Sequence, residues 1–165
     1  MRAIKDIFVA GLRNAHAMET QAREMMERQS ERLTDYPDVQ AKVKSHLAET
    51  KGQMKRLEDC LATFGESTSS LKDTAQSFMG NMAAMMHATS DDEILKNTLA
   101  NNAFENYEIA TYKSLLAMCG PAGADNCKAA LEANLNEEQS MADWIAANIA
   151  KVTAAYLQKQ SRAAA

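Results

Sequence analysis

The feature that most constrains this chain is an alternation of three- and four-residue steps between apolar side chains. On the last stretch the positions are Leu131, Leu135, Glu138, Ala142, Ile145, Ile149, Val152 and Tyr156, and all but Glu138 are apolar or aromatic. Such spacing follows one stripe of an α-helix and marks the inner seam of a bundle. A second seam runs through Phe8, Leu12, Ala15, Glu19, Ala22, Met26, Gln29 and Leu33. A third takes Val39, Val43, His46, Thr50, Gln53, Leu57, Cys60 and Phe64. The fourth is less clean: Ile94, Thr98, Asn101, Glu105, Glu108, Tyr112, Leu115 and Cys119.

The punctuation between the seams agrees. Two prolines and six glycines in 165 residues, with abundant alanine, favour long helices over sheet. The spacing predicts helices over about 3–33, 37–64, 91–118 and 126–158. Asp35 is the expected cap before Pro37, Ser90 or Asp91 the expected cap of the third helix, and "CGPAGAD" its expected breaker. "LKDTAQSFMGNMAAMMHA" predicts a short extra helix in the connection between the second and third. Its Met79, Met82, Met85 and Met86 read as packing residues, and His87 as an exposed end. Helices of about 27–32 residues are about 40–48 Å long. Short turns make antiparallel neighbours, and one long crossover lets the third helix run parallel to the second. The expected fold is therefore all-α: a ferritin-like up-down four-helix bundle with one long crossover, a single domain over 1–165 with 1–3 and 159–165 frayed.

Composition removes several functions. The net charge is −4 and no basic run is present, which argues against nucleic acid as a partner. The opening "MRAIKDIFVAGLRNAH" has no sustained apolar segment, and no polar face pairs lysines with bulky aromatics. The expectation is a cytoplasmic protein with no membrane span. Cys60, Cys119 and Cys127 lack metal-type spacing and read as small buried thiols, the first two at core-like positions.

The polar interruptions carry the chemistry. Glu19, Glu105 with Glu108, and Glu138 stand mid-seam on three helices; the second seam offers His46, Thr50 and Gln53, with Glu49 beside them. One glutamate on a seam is ordinarily a misphased surface residue; acids on every helix at matching depth are not. A buried carboxylate costs several kcal/mol, and four together repel. No lysine or arginine lies on these seams to pair with them. Two divalent ions neutralise four carboxylates, and an acid-rich, imidazole-poor donor set suits iron or manganese. His16, three residues before Glu19, is a candidate support or ligand. Tyr107 and Tyr112 read first as core aromatics and second as donors to the carboxylates. Trp144 and Ile145 read equally as core or as a contact between copies.

"LRNAHAMETQA", "SHLAETKGQM", "FENYEIATYKSLL" and "LNEEQSMADWI" together resemble the bacterial YciE/YciF family of ferritin-like stress proteins over roughly residues 4–157. "AHAME", "YPDV" and "NEEQSMADW" bring the chain closer to the YciE branch. The resemblance implies a cytosolic homodimer, expressed under general or osmotic stress, with a di-metal centre between the helices. It implies metal ligands Glu19, Glu49, Glu105, Glu108 and Glu138, supported by His46 and Gln53. Heptad phase favours Glu138 as the fourth-helix ligand, whereas aligning "HLAET" with "NLNEE" favours Glu137. The Glu-x-x-His pattern of wider ferritin-like proteins is absent; His46-x-x-Glu49 reverses it. The expected cofactors are two divalent ions, iron first and manganese second. The expected activity is oxidation of Fe²⁺ or consumption of O₂ or peroxide. The competing expectation is a non-enzymatic stress protein, stapled by metal, that binds a protein partner.

Overall fold

The computed structural model describes residues 3–66 and 92–164. The expected crossover helix with its methionines and His87, and the caps Ser90 and Asp91, lie outside the described residues. Four long helices form: α1 (Ile4–Arg32), α2 (Pro37–Ala62), α3 (Glu93–Ala122) and α4 (Lys128–Ala163), with a 3₁₀ turn at Asp125–Cys127 before α4. They make the expected four-helix bundle. α1 packs most extensively on α2, and α3 on α4; α1–α3 and α2–α4 contacts close the ring.

Ion pairs at the helix ends give the directions. Arg32 at the end of α1 meets Glu93 at the start of α3 (2.6 Å). Lys151 late in α4 meets Asp38 at the start of α2 (2.7 Å). Arg13 near the start of α1 meets Glu66 just past α2 (2.5 Å). α1 is thus antiparallel to α2 and α3, α4 is antiparallel to α2, and α3 runs parallel to α2. α2 ends at one end of the bundle and α3 begins at the other. α1 and α3 approach closely at Gly11, where an added Cβ would stand 2.9 Å from Leu115 Cδ2.

All eight α1 seam positions are buried, as are most of those on the other helices. At the end where α2 and α3 stop, Phe8, Leu12, Leu57, Leu61, Leu115 and Leu131 are at most 2 % exposed. Each such side chain contributes about 1.5–3 kcal/mol by leaving water. α2 and α3 stop there in the same way. Gly65 (φ 78°) and Gly123 (φ 67°) take the left-handed conformation that glycine adopts without steric cost. Glu66 N–H donates to the Leu61 carbonyl and Ala124 N–H to that of Cys119, so each end closes in a Schellman motif.

Several local expectations need correction. Asp35 does not cap α2; Tyr36 holds that position without a side-chain hydrogen bond, and Asp35 pairs with Lys159 on α4. α3 is not broken at Gly120–Pro121 but runs through both to Ala122. Proline in this last turn removes a bond only to the carbonyl of Ala117, an exposed residue, so its cost is small there. α4 does not fray at 159 but stays helical to Ala163, in keeping with alanine's helix propensity. The three cysteines are buried, as expected, Cys127 because the 3₁₀ turn folds it under the bundle end. None of the described helices is long and apolar enough to cross a membrane.

Candidate metal centre

Midway along the bundle, facing turns of all four helices carry the polar seam residues into a dry interior. Glu19, Gln53, Thr50, Asn134 and Glu138 have no exposed surface; His46 and Glu108 are 1 % exposed and Glu105 4 %. The three-residue step from Glu105 to Glu108 keeps both acids of α3 facing inward. His46, Glu105 and Glu138 each offer one ligand atom within 4.8 Å of the others.

Hydrogen bonds fix one side of Glu19, Glu138 and His46 and leave the other free for a further partner. Tyr112, fully buried, donates its hydroxyl to Glu19 Oε1 (2.5 Å) and accepts from Asn134 Nδ2 (2.9 Å). Gln53 Nε2 donates to Glu138 Oε1 in a short bond. His46 Nδ1 pairs with Glu49 Oε2 (2.8 Å), which turns Nε2 inward, 3.3 Å from both Glu105 Oε2 and Glu138 Oε2. One N–H cannot serve two oxygens well, and neither receives an aligned hydrogen bond. Eight buried side-chain polar atoms among the described residues lack a hydrogen-bond partner. Six are in this cluster: Glu19 Oε2, Thr50 Oγ1, Gln53 Oε1, Glu105 Oε2, Glu108 Oε1 and Glu138 Oε2. Buried oxygens are ordinarily satisfied, so their gathering in one place makes this a cluster that could hold a cation.

Protons balance the charge when no cation is bound. Burial, reinforced by Glu138 and other acids, holds the Glu19 and Glu108 carboxyls well above the ordinary carboxylate range. Burial likewise pushes Glu105 up to about 8 against the pull of His46. Burial lowers the His46 pKa, but Glu105 and Glu138 outweigh it and carry it up to about 11. Burial also opposes ionisation of Glu138, yet the close approach of His46, Glu105 and Glu108 wins and holds it below its usual value. These directions make Glu138 the carboxyl of the cluster that ionises most readily, beside a His46 that holds its proton.

The expected ligands divide. Glu19, His46, Gln53, Glu105, Glu108 and Glu138 come together. Glu49 does not join the buried cluster; its side chain is 35 % exposed and braces His46 from outside. α2 presents Thr50, the next residue, to the interior instead. Of the fourth-helix pair, Glu138 points in, while Glu137 lies at the rim, ion-paired with Arg56. His16 is no part of the cluster; it pairs with Glu58 (3.1 Å) across α1 and α2. Tyr107 is not a core aromatic: it is 49 % exposed on the outer face of α3. Tyr112 fulfils the second reading and donates to a carboxylate. Asn134 was not foreseen. It connects Tyr112 to Arg56, whose Nε donates to its Oδ1 (2.5 Å). It stands four residues before Glu138, a helical neighbour that the single seam through Leu135 passed over.

Solved structures share this architecture. A protein of Xanthomonas campestris pv. campestris is 25 % identical, with a TM-score of 0.79 over 96 % of this chain and 99 % of that one. YcfI of Rhodopseudomonas palustris is also 25 % identical, with a TM-score of 0.68 over 88 % of this chain and 94 % of that one. The Escherichia coli stress protein YciF, 20 % identical, superposes with a TM-score of 0.71 over 93 % of this chain and 98 % of its own, and shares the fold. The model of the domain family of unknown function DUF892 matches residues 3–158, nearly the whole described bundle, and the chain belongs to that family.

Proposed function

We propose that this protein binds two divalent ions, iron first and manganese second, at the mid-bundle cluster and oxidises Fe²⁺ with O₂ or peroxide. The observation that carries the reading is the convergence of unpartnered buried oxygens from Glu19, Glu105, Glu108 and Glu138. The donor set fits: four carboxyls and one imidazole match the charge and hardness of two such ions. Bound Fe²⁺ supplies two one-electron losses, which with two protons convert one dioxygen to peroxide or one peroxide to water.

The protein's own groups prepare the site. Tyr112 fixes one oxygen of Glu19 and Gln53 one oxygen of Glu138, so the remaining oxygens are oriented before any ion arrives. Glu49 takes the Nδ1–H of His46, leaving Nε2 as the donor atom once its proton is displaced. Carboxyls that hold protons in the metal-free state release them on ion binding. Fe²⁺-loaded protein is expected to consume peroxide, and Glu19→Ala with Glu138→Ala to abolish this; unchanged turnover would exclude the site.

One observation favours a second reading. The cluster is almost completely closed to solvent, as in a structural metal site, so the ions could serve as a staple for a non-enzymatic protein that binds a protein partner. Metal-dependent melting without redox turnover would select this reading, and an unchanged melting temperature on chelation would remove it.

We further place the protein in the bacterial cytoplasm, as a stress-induced homodimer nearer the YciE branch. The branch rests on "AHAME", "YPDV" and "NEEQSMADW". A monomer by light scattering would overturn the dimer, and a phylogeny seating the chain with YciF would overturn the branch.

A further inference from the structure

One turn from the cluster, toward the end where α2 and α3 stop, a second polar layer crosses the bundle and takes one residue from each helix. Arg56 of α2, its side chain 30 % exposed at the rim, donates from Nε to Oδ1 of Asn134 on α4 (2.5 Å). Asn134 Nδ2 donates to the hydroxyl of Tyr112 on α3 (2.9 Å) and to the backbone carbonyl of Gln53 (3.5 Å). Tyr112 donates in turn to Glu19 Oε1 on α1 (2.5 Å). Asn134, Tyr112 and Glu19 have no exposed surface, so this chain of bonds meets water at Arg56. The far end of the guanidinium is held by Glu137, where any acceptor would serve.

The direction of the bonds is set from the rim. A guanidinium is a donor only, so Arg56 requires the oxygen of the Asn134 amide. That turns both N–H bonds of Asn134 inward, toward Tyr112 and the Gln53 carbonyl. The reversed amide would set N–H against the guanidinium and oxygen against oxygen, a high cost in a dry interior. A phenol has one hydrogen. With Asn134 donating to the phenol oxygen, that hydrogen goes to Glu19. Glu19 Oε1 is thereby spent as an acceptor, and Oε2, which has no partner, is the atom left for an ion. An Asn134 oxygen free to face Tyr112 would compete for the same hydrogen and release Glu19 to turn.

We propose that Arg56 and Asn134 are positioning residues of the metal centre: acting through Tyr112, they hold Glu19 with Oε2 facing the ions. The role rests on the metal-binding reading above and extends it to two residues outside the ligand set.

Calorimetric titration of Mn²⁺ into metal-free variants tests it. Arg56→Met keeps most of the side chain's length and removes every donor. It should lower Mn²⁺ affinity about tenfold or more, as loss of a partner that orients a ligand does. Tyr112→Phe should do the same, and the double variant should bind no more weakly than Tyr112→Phe, because both changes cut one relay. Losses that multiply, as for independent sites, would overturn the inference, and so would unchanged affinity in Arg56→Met. Asn134→Asp serves where Arg56→Met fails to fold. It keeps the shape and suits Arg56, but offers no N–H to Tyr112. Its negative charge alone would tighten cation binding; the relay requires weaker binding, and a gain would overturn it. NMR of the metal-free protein separates the relay from the metal reading. The buried Tyr112 hydroxyl proton, identified by its loss in Tyr112→Phe, should exchange slowly in the wild type and shift in Arg56→Met and Asn134→Asp. A signal that does not move overturns the relay whatever the protein binds. Wild-type protein that takes up no Mn²⁺ overturns the parent reading instead, and with it the purpose of the relay.

Discussion

Two layers of this bundle, a few turns apart on the same helices, are built on opposite terms. At the end where α2 and α3 stop, Phe8, Leu12, Leu57, Leu115 and Leu131 interlock with the thiols of Cys60, Cys119 and Cys127, all buried. That layer asks only for apolar area and close packing. In the middle, equally buried positions hold Glu19, His46, Glu105, Glu108 and Glu138. There burial opposes the charge on every carboxyl, and several oxygens have no partner. The first layer stabilises the fold; the second is carried by it. Residues that weaken a bundle while shaping a site are there for the site.

The largest expected effect belongs to the apolar layer. Leu131→Ala leaves a cavity among fully buried neighbours and should cost about 2–5 kcal/mol in urea unfolding, with or without metal. A loss that disappeared on metal loading would break the separation of the two layers. Next comes metal itself. Mn²⁺ at about a hundredfold excess over its Kd should stabilise the wild type by about 2.7 kcal/mol for each ion bound. Glu138→Gln should abolish that gain; a gain that survived would move the site elsewhere.

The pH dependence of the metal-free protein follows, with its sign set by the raised pKa values. An unfolded glutamate loses its proton near 4.5, whereas Glu105 folded keeps it to about 8. The folded state binds more protons across that window, so this contribution to stability is lost as pH rises through it. Glu19 and Glu108 act in the same direction. His46, raised from 6.5 to about 11, adds stability that is full below 6.5 and lost as pH climbs towards 11. Glu138 alone works oppositely, and only as pH falls below its ordinary 4.5. Melting temperatures of metal-free protein should therefore fall from pH 5.5 to 8.5. Glu108→Gln, neutral at every pH, should flatten the fall; a rise with pH would contradict the protonation pattern. The smallest effect is expected at Glu137→Gln. This neighbour of Glu138 holds only a part-exposed pair with Arg56, so the change should cost no more than about 1 kcal/mol and leave metal uptake unchanged.

The seams made the bundle legible because apolar spacing and burial are the same fact seen twice: each α1 seam residue, from Phe8 to Leu33, is inside. The acids at Glu19, Glu105, Glu108 and Glu138 were legible for the same reason, as they occupy seam positions. Glu49 and Thr50 show the limit. Adjacent residues on a helix differ by about 100°, and family likeness favoured the acid while phase favoured the hydroxyl. Asn134 and Arg56 escaped because a polar relay between helices depends on the azimuth of each helix, which spacing along one chain does not encode. Pro121 misled because a helix breaker is costly only where the lost bond is internal.

The most direct measurement is a calorimetric titration of Mn²⁺ into metal-free protein in buffers of different ionisation enthalpy, which counts ions and protons together. The account predicts two ions per chain, protons released as they bind, and loss of both signals in Glu138→Gln. Absence of binding, or binding with no proton release that persists in Glu138→Gln, would contradict it.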